Sequence, residues 1–215
     1  MFDTPAPKLL ELAAQIHSIY RFDSSHGMDH LLHTRYNAIA IMNADGVPRL
    51  PGMDPCRVRN LIKDSAFIHD LIDAKYVRAD EKPIVWATIC RVLVDLGWTY
   101  EECGHIYDII DNMSFSKCQQ RRASGLLPVD PALPSCHCIH VVRDADMLDA
   151  YDPTRCLQYQ LAHHPDCVDD HLRSILVDRV LKYKDHHLTT PYALSIAPAL
   201  HKKVEQFVQA FIIHE

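Results

Sequence analysis

No apolar run in this chain approaches the roughly 20 residues that a membrane-spanning helix requires. Its first residues, MFDTPAPKLLELAAQ, lack the basic start and apolar core of a signal peptide. A helical membrane protein is therefore not expected, and the cytoplasm is the expected compartment. The chain also lacks a basic excess, with 28 acidic against 22 basic side chains and a formal charge of -6. Such a surface repels a phosphate backbone, which argues against nucleic acid as a partner. A small phosphorylated molecule is not excluded, because it needs only a local cluster of cations inside a pocket. Alternating strand patterns and internal repeats are absent too. The eight cysteines include Cys136 and Cys138 within the run CHCIH, but no second cysteine pair completes a four-ligand zinc spacing. Ordinary reduced thiols are the simpler reading.

What is present is the composition of a soluble globular protein: 215 residues, 48% hydrophobic and 23% charged. That length supports one good core, so residues 1–215 are read as a single domain. Leu9, Leu12, Ala13, Ile16 and Tyr20 recur at helical spacing. Further helices are expected from about Asp29 to Asn43, from Pro55 behind an Asp54 cap to about Leu71, and behind Asp80 up to Gly97. Thr99 and Glu102 form a capping-box pattern for another, to about Ile110. Helical periodicity then returns at residues 139–151, 168–183 and 191–213, with a kink expected at Pro198. Between Met113 and Ser135 it vanishes, and Gly125, Pro128, Pro131 and Pro134 predict a long loop, of the kind that often borders a binding site. The fold class is all-α, a helical bundle.

Neutral imidazoles and carboxylates bind catalytic divalent cations, and three otherwise apolar helical segments carry them: HGMDHLLHTR, FIHDLIDAKY and VVRDADMLDAYD. A titratable group on such a stretch needs a reason. The ordered set His26-x3-His30, His69-Asp70-x2-Asp73-x-Lys75, Ser114-Phe115-Ser116 and Asp144-Ala-Asp146-x2-Asp149 resembles the HD-domain superfamily of metal-dependent phosphohydrolases. The match is closest to bacterial members with HxxxH, HDxxDxK and DADxLDA motifs, and it spans about residues 20 to 155.

The resemblance implies an HD-type bundle holding one divalent metal ion on His30, His69, Asp70 and Asp146, with Asp144 as the competing fourth ligand. Manganese, iron, nickel, magnesium and zinc all suit such a mixed donor set. It further implies hydrolysis of a small phosphorylated substrate, a nucleotide above all, by a water that the metal acidifies. Asp73, one turn beyond Asp70 if the helix continues, is the candidate proton-transfer group. His26 and Lys75 are candidates for holding phosphate, with Ser114, Phe115, Ser116, Lys117 and Lys182 as substrate contacts; Lys184 and Thr190 are further candidates for the pocket border. The chain departs from the pattern in two places: His33 stands where Arg or Lys is expected, and Tyr151 to Arg155 replaces a glycine-rich stretch. Two other functions stay open. A di-iron oxygenase of the same fold would need extra ligands, for which His105, His137 and His140 are available, and a catalytically silent nucleotide-binding module would keep the pocket alone. A homodimer is also open.

Overall fold

Asp54 and Pro55 start a helix as their order predicts: the Asp54 carboxylate accepts from the N–H groups of Cys56 and Arg57 at 2.9 and 3.0 Å, and Pro55 fills a position whose N–H would be unpaired. A computed structural model describes residues 4–212, apart from the side chains of Asp169, Phe211 and Ile212. Every regular element among these residues is helical. In chain order they are α1 (Pro7–Tyr20), α2 (Met28–Asp45), α3 (Pro55–Ile68), α4 (Lys82–Asp95), α5 (Tyr100–Met113), α6 (Phe115–Ala123), α7 (Cys136–Asp149), α8 (Pro153–His163), α9 (Val168–Arg173), α10 (Tyr183–His186) and α11 (Pro191–Ile212). A short 3-10 turn, Ser24–His26, precedes α2. A π-helical turn, Ser174–Arg179, and a 3-10 turn, Val180–Lys182, join α9 to α10.

The core is built where α2, α3, α5 and α7 pack on one another. Helix α2 buries His30, Leu31, Thr34, Arg35, Ala38, Ile41 and Met42, a stripe at three- and four-residue steps, so His30 belongs to the core-facing side. Helix α7 is buried almost all round, as a helix at the centre of a bundle must be, and Asp146, in its last turn, is the least buried of its carboxylates. Outside this core α1 pairs with α4, α11 closes on α2 and α7, and α8 packs against the Ser24–His26 turn.

Four expectations need correction. Helix α3 stops at Ile68 rather than Leu71, so His69 is its C-cap and Asp70 to Asp73 form a turn closed by the Asp73 N–H on the Asp70 carbonyl at 2.9 Å. Asp80 does not cap α4; its carboxylate accepts from Arg78 instead. The segment from Met113 to Ser135 is not one long loop, because residues 115–123 form α6, whose polar composition hid any apolar stripe. Helix α8 was not expected at all, although Asp152 and Pro153 repeat the Asp54-Pro55 signal: the Asp152 side chain accepts from Thr154 N at 2.9 Å. The Thr99-Glu102 capping box forms as predicted, and Glu102 also pairs with Arg57 at 2.6 Å.

Candidate metal centre

Three helices bring four donors together. His30 comes from the buried stripe of α2, His69 and Asp70 from the end of α3, and Asp146 from the last turn of α7. The Nε2 atoms of His30 and His69 lie 3.1 Å apart. Asp70 reaches both, with Oδ2 3.1 Å from His30 Nε2 and Oδ1 3.3 Å from His69 Nε2. Asp146 Oδ1 stands 3.5 Å from His30 Nε2 and 3.8 Å from His69 Nε2. His30, His69 and Asp146 form a candidate metal-binding group, each offering one ligand atom within 4.8 Å of the others.

The far side of each ring shows why these nitrogens suit a cation. His69 Nδ1 lies 2.9 Å from the Ala66 carbonyl, which can only accept, so Nδ1 carries the proton. His30 Nδ1 lies 2.7 Å from the Asp149 carboxylate and donates in the same way. In the neutral rings both Nε2 lone pairs then point towards one another and towards two carboxylates, an arrangement that calls for positive charge, of which the Arg155 guanidinium, 3.3 Å from His30 Nε2, supplies a part from one side. The C-terminal end of α3, with its partial negative charge, adds to the attraction.

The electrostatics agree. Burial works to lower the pKa of His69, but Asp70 and Asp146 outweigh it and raise it to about 9. Burial likewise works to raise that of Asp70, and His69 and His30 pull it well below the usual carboxylate range. Asp149 is also held low, against its burial, by the His30 hydrogen bond and then by Arg155. These groups favour positive charge at their meeting point, whether a proton or a metal ion supplies it.

Asp144 is excluded from this point. It is fully buried on another face of α7, where Oδ2 accepts from the backbone N–H groups of Thr189 and Thr190 at 2.7 and 2.6 Å. It ties α7 to the segment before α11. His105, His137 and His140 do not join the candidate group among the described residues, and His140 turns to Arg143 and Thr189. Cys136 and Cys138 form no metal group with them either. Arg35, near the departure at His33, is buried against Asp64 at 3.1 Å and stays out of the site.

A cavity of about 540 Å³ opens above the four donors, with His69, Asp70 and Asp146 in its wall and five cations around it: Lys75, Lys82, Lys117, Arg155 and Arg179. His26, Asp73, Ser114, Phe115 and Ser116 also line it. The buried His26 ring meets Tyr76 Oη and Ser25 Oγ at Nδ1, and Lys75 Nζ lies 3.1 Å from its Nε2. Asp73 is not on a continued helix; its Oδ1 accepts from the Lys75 N–H at 2.7 Å, which sets the Lys75 loop at the cavity edge. Phe115 lies under the Arg179 guanidinium, 4.4 Å from the ring centroid, and against His187. Lys117 pairs with Asp111 at 2.6 Å.

Lys182 does not reach the cavity. It sits on an exposed turn with Asp178, 3.7 Å away, because the 3-10 turn at 180–182 faces Tyr183 inward in its place. Lys184 and Thr190 are not in the wall either. The residues that sequence reasoning missed are Arg155 and Arg179. Arg155 Nε donates to the Ser25 carbonyl at 2.7 Å, and Nη2 lies 3.3 Å from His30 Nε2. Burial works against its charge, and Asp146, Asp149 and Asp70 more than restore it. Its signal was the Asp152-Pro153 helix start, inside the stretch that departs from the HD-domain pattern.

Fold and site together define an all-α bundle with a candidate metal group at its centre. No family model and no curated relative matches the chain. It is similar in fold to a crystal structure of a Lactobacillus plantarum protein, a structural genomics target, with a TM-score of 0.65 and 21% identity over 98% of this chain and 97% of that one. No helix among the described residues is long and apolar enough to cross a membrane.

Proposed function

We propose that this chain is a cytoplasmic, metal-dependent phosphohydrolase of the HD-domain type, acting on a small phosphorylated substrate, a nucleotide. The observation that carries the reading is the meeting of two imidazole nitrogens and two carboxylates beside a cavity ringed by lysines and arginines. Anionic donors at the centre suit a divalent cation, and cations around it suit a phosphate. His30, His69, Asp70 and Asp146 would hold one such ion, and manganese, iron, nickel, magnesium and zinc all fit the donors. When bound, the ion supplies a Lewis acid for a phosphoryl oxygen and acidifies a water.

The rest is the work of the chain's own side chains. Asp149 and the Ala66 carbonyl hold the two imidazoles in the tautomer that leaves Nε2 free. Arg155 and Lys75, which line the cavity together with His26, orient the phosphoryl oxygens by charge-assisted hydrogen bonds, and Arg179 completes the cationic wall. Asp73 keeps one carboxylate oxygen clear of the Lys75 N–H, and that oxygen takes a proton from the attacking water or returns one to the leaving group. Ser114 and Ser116, 2.9 Å apart at the start of α6, offer hydroxyls to the more distant part of the substrate. Phe115 shapes the wall rather than stacking freely, since Arg179 covers one face. Elemental analysis of the purified protein, joined to phosphate release from a panel of nucleotides, tests the reading. One equivalent of metal at this centre and hydrolysis of at least one nucleotide are expected; a metal-loaded protein that releases nothing overturns the enzyme reading.

A further inference from the structure

The run His163-His164-Pro165-Asp166-Cys167, followed by His171, contributes no side chain to the cavity wall, yet it gathers nitrogen and sulfur donors at one place. His164 caps the end of α8. Pro165–Cys167 makes a single 3-10 turn, closed by the Cys167 N–H on the His164 carbonyl at 3.1 Å. Cys167 then N-caps α9 and places His171 one helical turn ahead, on the same face. Its Sγ lies 4.0 and 3.9 Å from the two ring nitrogens of His171. The His164 ring stands edge-on to His171 with centroids 4.1 Å apart, and the ligand atoms of all three residues lie within 4.8 Å of one another.

A tetrahedral zinc ion, with bonds of about 2.3 Å to sulfur and about 2.0 Å to nitrogen, separates a sulfur from a nitrogen by roughly 3.5 Å. The Cys167 and His171 side chains therefore need to close by only a few tenths of an ångström. All three residues are exposed or half-buried, so their rotamers can adjust. We propose that His164, Cys167 and His171 bind a zinc ion, separate from the His30 and His69 centre, with water completing the fourth position. Thiolate and imidazole select zinc over magnesium or manganese. The ion joins the end of α8 to α9. Helix α8 supplies Arg155 to the cavity, and the neighbouring His163 bonds Asp23 beside His26 at 2.8 Å, so the staple fixes the helix that brings Arg155 to phosphate.

Cobalt(II) titration of the reduced, full-length protein tests this apart from any activity. A cobalt-bound thiolate gives a near-ultraviolet charge-transfer band, which the all-nitrogen-and-oxygen centre cannot produce. The expected result is one equivalent of cobalt with that band in the wild type, bleached by zinc. Cys167→Ser and His171→Ala should lose the band, while Asp70→Ala keeps it. Elemental analysis after zinc loading should show Cys167→Ser one equivalent below the wild type, with helical content by circular dichroism unchanged. No band in the wild type overturns the proposal, and so does a band that survives Cys167→Ser.

Discussion

At the centre of the site each imidazole is held from behind, His30 by Asp149 and His69 by the Ala66 carbonyl, and both rings are buried. Around the cavity the picture reverses: Lys75, Lys117 and Arg179 are exposed, and each is held by one or two contacts. The first region is rigid because its side chains lie in the packing of α2, α3 and α7. The second can adapt because its cations reach inward from loops and short helices. On the proposed reading, a metal centre needs the fixed geometry of the former, and a surface that takes a phosphorylated group can use the adaptability of the latter. Arg155 stands between them, half-buried and anchored on Ser25 and Asp149, yet open to the cavity.

The comparison breaks most visibly if the centre does not need its carboxylates. Asp70→Ala should remove most bound metal and several kcal/mol of transition-state stabilisation, on the order of 10³-fold in phosphate release, with little loss of helical content. Full activity in that variant would sink the metal mechanism. Asp149→Asn tests the support behind the ring: metal affinity should weaken by roughly 10- to 100-fold, read by competition with a chelating dye. Equal affinity would mean that His30 is held by packing alone. Arg155→Ala should leave metal content unchanged and raise KM by about tenfold, the equivalent of a charged hydrogen bond worth about 1.5 kcal/mol. A loss of metal there would move Arg155 from the rim into the centre. Lys182→Ala, outside the cavity, should alter neither metal content nor KM in the same assays.

The smallest effects concern acid and base, and the two regions differ in sign. Burial and the neighbouring Arg122 push His187, which packs on Phe115 at the rim, down to about 4. It is neutral when folded, so its contribution to stability is whole above about pH 6.5 and is lost as pH falls towards 4. In the metal-free protein His69, raised to about 9 against its burial by Asp70 and Asp146, contributes below pH 6.5 and loses that contribution as pH rises through 9. Urea midpoints of metal-stripped protein should therefore fall less steeply between pH 6.5 and 4 in His187→Gln than in the wild type. Parallel curves would remove His187 from the account.

Much of this was readable before the fold was known. Asp54-Pro55 and Thr99-Glu102 act within four residues of chain, so their helix starts appear in the sequence as they do in space. The segments that carry His30, His69 and Asp146 stood out because titratable groups interrupt an apolar helical stretch in each, and within them it is the resemblance to the HD-domain pattern that points to these residues. Helix α6 escaped notice because it buries little besides Cys118, and amphipathicity is the signal that periodicity reads. The same blindness hid His164, Cys167 and His171, whose spacing is short but whose surroundings are polar.

The all-α class, most helix starts and the three segments that carry the candidate donors follow from the local pattern of the chain, because helical periodicity, capping and the cost of burying a titratable group are local properties. That Asp146 rather than Asp144 faces His30 follows from packing. The two residues are two apart on α7, which turns them about 200° from one another, and which face meets the cavity depends on how α7 packs against α2, α3 and the segment before α11. The same packing placed Arg155 and Arg179 at the rim and sent Lys182 to solvent, since side chains distant in sequence become neighbours only through helix contacts that no local pattern encodes.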